Sequence, residues 1–254
     1  MLGTVATLRR YPVKSMLGED LDAADVSRSG LARDRRLAVV SRRTGKVASA
    51  KYPRLWRDLL TLSAEALQDA VLSDAVRITL PDGKTVHSTD ADIDKVLSAL
   101  LDEPVTLTAT PPPGASLDRA VPEAVLRDGI TAEVPAKLIE IGAGAPPGTF
   151  VDFAPLHLLT TTTLGRIAEL SPHQEAHLER YRPNVVILRI ASDCIRLLIE
   201  VWDGIPDAPA AAYPEPDEES GRGLMLVEAA CDHWSWQTVP GWPGKVIWAE
   251  LRSE

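Results

Sequence analysis

Apolar and polar positions alternate through TVATLRRYPVKS, the pattern of a half-buried strand, until Pro12 limits pairing and turns the backbone. RRLAVVSRRTGKVASA predicts a hairpin turning at Thr44-Gly45, because a glycine between β-prone runs supplies the positive φ of a tight turn. A second hairpin is predicted in VRITLPDGKTVHS, around Asp82-Gly83. Short strands therefore dominate roughly the first 90 residues and favour a small β-barrel or sandwich. The spacing then changes. In DADIDKVLSALLDE, Ile93, Val96, Leu97, Leu100 and Leu101 recur at helical intervals behind a capping aspartate, which predicts an amphipathic helix. TATPPPGAS and GAGAPPGTF are breaks, and beyond them Thr160 to Thr163 can cap a helix running through Leu170, with another short helix starting after Pro172. CIRLLIEVWD reads as a strand, AAAYPEPDEES as an acidic loop, and GRGLMLVEAACDHW as a helix opening at a glycine pair. SWQTVPGWPGKVIWAELR closes the chain as two strands joined by a Gly/Pro turn.

Composition narrows this picture. A chain of 254 residues buries a core without staples, and the two cysteines, Cys194 and Cys231, are too few for a disulfide framework. MLGTVATLRRYPVK lacks the apolar stretch of a signal peptide, so a reducing, cytoplasmic compartment is expected. No window approaches the roughly 18 uninterrupted apolar residues of a spanning helix, so no membrane role is expected. The net charge of −9 conceals an asymmetry: residues 1–60 hold 13 Lys and Arg against 6 Asp and Glu, and the remainder 14 against 30. A basic end on an acidic molecule points to an anionic small molecule rather than nucleic acid, whose phosphates the rest of the chain would repel. A solvated basic face is the plain alternative. Five of the six tryptophans fall in the last 53 residues, which sets the tail apart in composition.

Three stretches can grip an anion. Lys14 and Ser15 follow the rigid turn at Pro12, Arg33, Arg35 and Arg36 open a strand, and Arg182 and Asn184 flank Pro183. Each charge-assisted contact to a phosphate would contribute roughly 1.5–3 kcal/mol, so several converging would give useful affinity. Spacing alone leaves open that all are surface salt-bridge partners. His173 and His177 stand four apart but lack a third metal ligand at sensible spacing, and a polar helix surface explains them better. DADID lacks the glycine and terminal glutamate of a calcium loop, and no G-x-S-x-G elbow is present.

The ordered run LRRYPVKSMLGEDLDAADVSRSGLARDRRLAVVSRRTGKVASAKYPRL, GASLDRAVPEAVL, GTFVDFAPLHLLTTTTLGRI and RYRPNVVI, over about residues 3–188, resembles the MOSC domain proteins with their N-terminal β-barrel extension. These are relatives of the molybdenum cofactor sulfurase C-terminal domain and of the amidoxime reducing component. The resemblance implies a molybdenum cofactor bound through its pterin phosphate and pterin ring. The matching positions are Lys14, Ser15, Arg35, Thr161, Thr162, Arg182 and Asn184. It also implies an oxidoreductase or sulfur carrier acting with a small-molecule substrate or redox partner.

The chain departs from that family after RPN. The family continues through further strands to a cysteine that coordinates molybdenum or carries sulfur, whereas here Cys194 follows Asn184 by ten residues, a reach of at most about 33 Å. A thiolate suits molybdenum, and a free cysteine on a buried strand equally suits a small hydrophobe. The tail is similar instead to the C-terminal half of the histidine-kinase-like ATP-binding fold of anti-sigma-factor kinases. In that likeness Asp203 would meet the adenine amino group, and Gly221 and Gly223 would admit phosphate to a helix N-terminus. The glutamate and asparagine of that family's first helix have no equivalent before residue 191, so weak ATP binding or a protein partner is expected of the tail, without kinase chemistry. The reading as a whole is an α+β protein: a β-barrel domain over 1–110, a partial MOSC domain over 111–190 and an α/β half-layer over 191–254, joined at a seam near 189–194.

Overall fold

The computed structural model describes residues 4–27, 29–67, 75–142, 148–152, 154–188, 196–203, 207–209, 223–238 and 245–252. The chain divides into two compact units, one of Val5–Arg189 and one of Ile190–Glu254 with Met1–Thr4.

Short strands make up most of the larger unit: β1 (Thr4–Arg10), β2 (Glu19–Asp20), β3 (Val26–Ser27), β4 (Gly30–Leu31) and β5 (Ala38–Ser41). The helix α1 (Pro53–Trp56) runs into a 3-10 turn over Arg57–Thr61, and β6 (Ser63–Ala66), β7 (Val76–Thr79) and β8 (Thr85–His87) follow as an antiparallel meander. Both expected hairpin turns form: Val40 bridges Val47 across the first, and β7 pairs with β8 across the second. The periodic segment is the helix α2 (Ile93–Leu101), whose Ile93, Leu97 and Leu101 are buried. Its aspartates act differently from the expected cap. Asp92 makes no side-chain cap hydrogen bond, and Asp94 instead accepts the Leu107 amide at 2.9 Å, tying the helix to β9 (Val105–Thr108), which pairs with β5. Val13, Met16, Val39, Leu59, Leu62, Ile78 and Leu97 form the main core between these elements.

The rest of this unit contains β10 (Ser116–Ala120), α3 (Pro122–Asp128), β11 (Ala136–Glu140), β12 (Leu158–Thr160), α4 (Thr161–Leu170), α5 (Leu178–Tyr181) and β13 (Val185–Leu188). Thr160 caps α4, its hydroxyl accepting the Thr163 amide at 3.0 Å, while the next helix begins at Leu178, later than Pro172 implied. A four-stranded sheet runs β12-β13-β1-β2, so the parallel pair β12 and β13 lies beside the first strand of the chain. The fold is mixed α/β with several small sheets. Among the described residues these sheets do not close into the expected barrel, and β2, β3 and β4 are two residues long. Left-handed backbone at Ser15, Arg33 and Arg35 interrupts the strands, and single bridges from Val13 to Leu37 and from Leu17 to Ser63 replace continuous ladders.

The smaller unit holds β14 (Arg196–Asp203), α6 (Gly223–Ala230), β15 (His233–Thr238) and β16 (Lys245–Arg252), in an antiparallel sheet ordered β14-β16-β15. Asp203 ends β14 opposite Lys245, and Gly223 opens α6. Cys194, Gly221 and the expected seam at 189–194 lie outside the described residues. No helix among the described residues is long and apolar enough to cross a membrane.

Candidate functional site

The turn after β1 places the first cation. Val13 and Met16 are fully buried anchors on either side of Lys14, whose amide donates to the Leu37 carbonyl at 2.9 Å. Lys14 is only 3 % exposed, and its ammonium donates to the Phe150 carbonyl at 3.0 Å and pairs with Asp152. Burial pushes its pKa down to about 8 even though Asp152 pulls the other way. The two lysines hold the Asp152 carboxyl down at about 2 against the opposing effect of burial, with Lys51 at 3.1 Å on the other carboxylate oxygen. Ser15 takes a left-handed φ of 64°, and its hydroxyl accepts the Ala50 amide at 3.2 Å, joining the turn to the segment that carries Lys51.

Two guanidinium groups come from distant parts of the chain. Asp34 is buried, accepts the Tyr11 amide at 2.7 Å and pairs with Arg35. Arg35 also donates to the Asn184 side-chain oxygen at 3.3 Å and to the Arg182 carbonyl at 3.4 Å. Arg182 follows α5 in left-handed conformation and donates to the Met16 carbonyl. Its guanidinium lies 4.3 Å and that of Arg35 5.2 Å from the centre of the Tyr11 ring, a fixed aromatic plate that suits planar cations. Burial raises the Tyr11 pKa against the pull of Arg9, Arg182 and Arg35, so the phenol stays protonated and donates to the Pro183 carbonyl at 3.3 Å. Burial, then the neighbouring Arg35, lowers Arg182 to about 10, which leaves it charged at neutral pH. One of its nitrogens, Nη2, is buried and has no hydrogen-bond partner. An orphaned buried guanidinium donor of this kind costs free energy.

These groups surround one cavity of about 770 Å³ within the larger unit. Among the described residues, Lys14, Arg35, Lys51, Arg180 and Arg182 line it with two carboxylates, Asp152 and Glu179, and Leu60, Leu156 and Leu158 add apolar surface. Of the residues picked out from sequence, Lys14, Ser15, Arg35 and Arg182 line this cavity. Asn184 does not line it. It is fully buried behind it, accepting the His157 amide at 3.1 Å and donating to the Arg9 carbonyl at 3.3 Å, and so holds β13 to β1. Thr161 and Thr162 stand on the first turn of α4, outside the lining, and His173 and His177 flank a loop and short helix on the exposed surface.

Sequence reasoning did not single out Lys51, Asp152, Tyr11 or Asp34. Lys51 directly follows a run of small residues, and Asp152 sits between apolar neighbours in GTFVDFAP, so neither stands out by periodicity. Among the described residues no group of three or more His, Cys, Asp or Glu is placed to hold a metal ion. The ammonium, guanidinium and hydroxyl groups of the cavity's lining residues are the donor types that suit a phosphate. Residues 2–104 match the family model of the MOSC N-terminal beta barrel domain. No curated protein matches the chain at a significant level.

Proposed function

We propose that this protein, whose residues 2–104 match the family model of the MOSC N-terminal beta barrel domain, belongs with the molybdenum cofactor sulfurase-like families and binds the molybdenum cofactor. Its phosphate would enter the cavity bounded by Lys14, Lys51, Arg35 and Arg182, with the Ser15 hydroxyl as a further donor. The observation that supports this most is the lining of the cavity, where among the described residues five cations, Lys14, Arg35, Lys51, Arg180 and Arg182, meet two carboxylates, Asp152 and Glu179. When bound, the cofactor supplies two-electron redox chemistry or the carriage of a sulfur atom at molybdenum.

The protein's own residues have three tasks in this reading. Lys14 and Arg182 present charge that burial keeps largely free of water, where each contact to a phosphate oxygen is stronger than at the surface. Tyr11 and Asp34 fix the planes of the two guanidinium groups, so little side-chain freedom remains to be lost on binding. Leu60, Leu156 and Leu158 offer a flat ring apolar surface to rest on.

The test is elemental analysis for molybdenum and fluorescence assay for pterin on protein purified from a host that makes the cofactor. Wild-type protein should carry both, and Lys14→Ala and Arg182→Ala should lose most of each. Wild-type protein that is free of metal and pterin and ignores added cofactor overturns the reading.

A further inference from the structure

Asp152 stands where a phosphate would have to go. Its two oxygens take the two ammonium groups of the cavity, Lys14 on one and Lys51, at 3.1 Å, on the other. A carboxylate bridging two ammoniums uses the donors that an anion needs, and its charge repels a second anion brought within contact. The three side chains differ in freedom. The side chain of Lys14 is 4 % exposed and is also held by the Phe150 carbonyl, whose own residue is fixed by its amide donating to the Arg35 carbonyl. Asp152 is 37 % exposed and Lys51 38 %, so both can turn toward water while Lys14 stays in place.

Resting on the reading that this cavity takes a phosphate, we propose that Asp152 is a displaceable internal counter-ion: it holds the two ammoniums until the phosphate arrives, then swings outward and yields them. No covalent bond changes in this exchange. The cluster of Lys14, Lys51 and Asp152 carries a formal +1 with the carboxylate engaged, and the two lysines alone carry +2 once it has turned away. A phosphate monoester brings about −1.5 to −2 at neutral pH, so it neutralises the pair, whereas a singly charged carboxylate ligand only replaces one carboxylate by another. Asp152 thereby selects for a doubly charged group and sets the affinity. Without any counter-ion, two ammoniums in a partly apolar wall would repel one another and Lys14 would give up its proton more readily.

The experiment is calorimetric titration of the full-length protein with inorganic pyrophosphate and, separately, acetate at pH 6.5, using wild type, Asp152→Asn and Lys51→Met. Removing the competing charge should tighten pyrophosphate binding roughly tenfold or more in Asp152→Asn. Lys51→Met should weaken it, and acetate should bind the wild type far more weakly than pyrophosphate. If the wild type binds pyrophosphate but Asp152→Asn binds it equally or less well, Asp152 is not a competitor and the proposal fails. If the wild type binds no pyrophosphate, the phosphate reading of the cavity fails instead. A second measurement uses wild-type protein alone: carbon-13 NMR should show the acid titration of the Asp152 carboxyl moving upward when pyrophosphate is present, because its ammonium partners have left. A titration that stays in place with pyrophosphate bound also overturns the proposal.

Discussion

Lys14 holds its charge where almost no water reaches it, and that makes the site sensitive to pH in an unusual window. Its pKa is lowered by burial to about 8, from an ordinary 10.5, so the ammonium begins to lose its proton at a much lower pH than a surface lysine. Anion affinity should therefore fall as pH rises through about 8, which a pyrophosphate titration from pH 6.5 to 9.5 would read. Flat affinity across that range would mean Lys14 takes no part. The sign for stability is the reverse. Below about pH 8 the folded state carries the full cost of burying this ammonium, and between 8 and 10.5 the unfolded chain binds more protons, so this group's contribution favours folding as pH rises there. Asp152, held down at about 2, contributes stability above its ordinary 3.8 that is lost as pH falls toward 2. Tyr11 allows a further separation of roles. Tyr11→Phe keeps the aromatic plate and removes the hydrogen bond to the Pro183 carbonyl, so it should cost about 0.5–1.5 kcal/mol of stability in a denaturant melt with little change in anion binding. Tyr11→Leu removes the plate as well and should weaken binding too. At this scale the sequence reveals charge but not its partners: Lys14, Arg35 and Arg182 are visible as cations near prolines and turns, whereas Asp152 and Tyr11 matter through contacts more than 130 residues away in the chain.

Local elements were the most legible part of the fold. The helix over Ile93–Leu101, the two early hairpins, the strand at Arg196–Asp203 and the threonine cap of α4 all follow from periodicity or from the chemistry of single turn residues. Pairing between distant strands did not. Where β12 and β13 pair in parallel beside β1, the Asn184 side chain bonds Arg9 within β1 and His157 just before β12, and nothing near position 184 announces those partners. The short strands of the larger unit likewise depend on left-handed backbone at non-glycine residues, which propensity opposes. Gly30 shows how tightly one such element supports the cavity. It has a φ of 90°, and a Cβ there would come within 2.1 Å of the Pro155 carbonyl oxygen, next to the wall residues Ala154 and Leu156. Gly30→Ala should lower stability by about 1–3 kcal/mol or more and weaken anion binding with it, both measurable by melting with and without pyrophosphate. A variant as stable as wild type would show that this contact is not needed. Thr160→Ala should cost about 1 kcal/mol through loss of the α4 cap, with binding unchanged, because that helix does not line the cavity.

Over the whole chain, charge is divided unevenly: residues 1–60 are basic and the remainder strongly acidic. The cations of the cavity come mainly from the basic segment and from residues 180 and 182, which an overall charge of −9 hides. The smaller unit contributes a three-stranded antiparallel sheet and one helix, with Asp203 at a strand end and Gly223 at a helix start. The nucleotide expectation for this unit is checked by melting the protein with ATP. Weak binding gives stabilisation only as ATP exceeds its Kd, and that shift should vanish in Asp203→Ala. A shift that survives the substitution would remove Asp203 from any nucleotide site.

The central claim is that cations from the first and the last thirds of the sequence act on one phosphate, and a double-mutant cycle tests it most directly. Pyrophosphate affinity would be measured for wild type, Lys14→Met, Arg182→Met and the double variant, with methionine chosen to keep the packing of the two stems. Each single change should weaken binding about 10- to 100-fold, and the double change should depart from the product of the two by a coupling of about 0.5–3 kcal/mol, as expected for side chains sharing one ligand. Wild-type affinity in either single variant, or a double variant whose losses simply multiply, would contradict a shared phosphate.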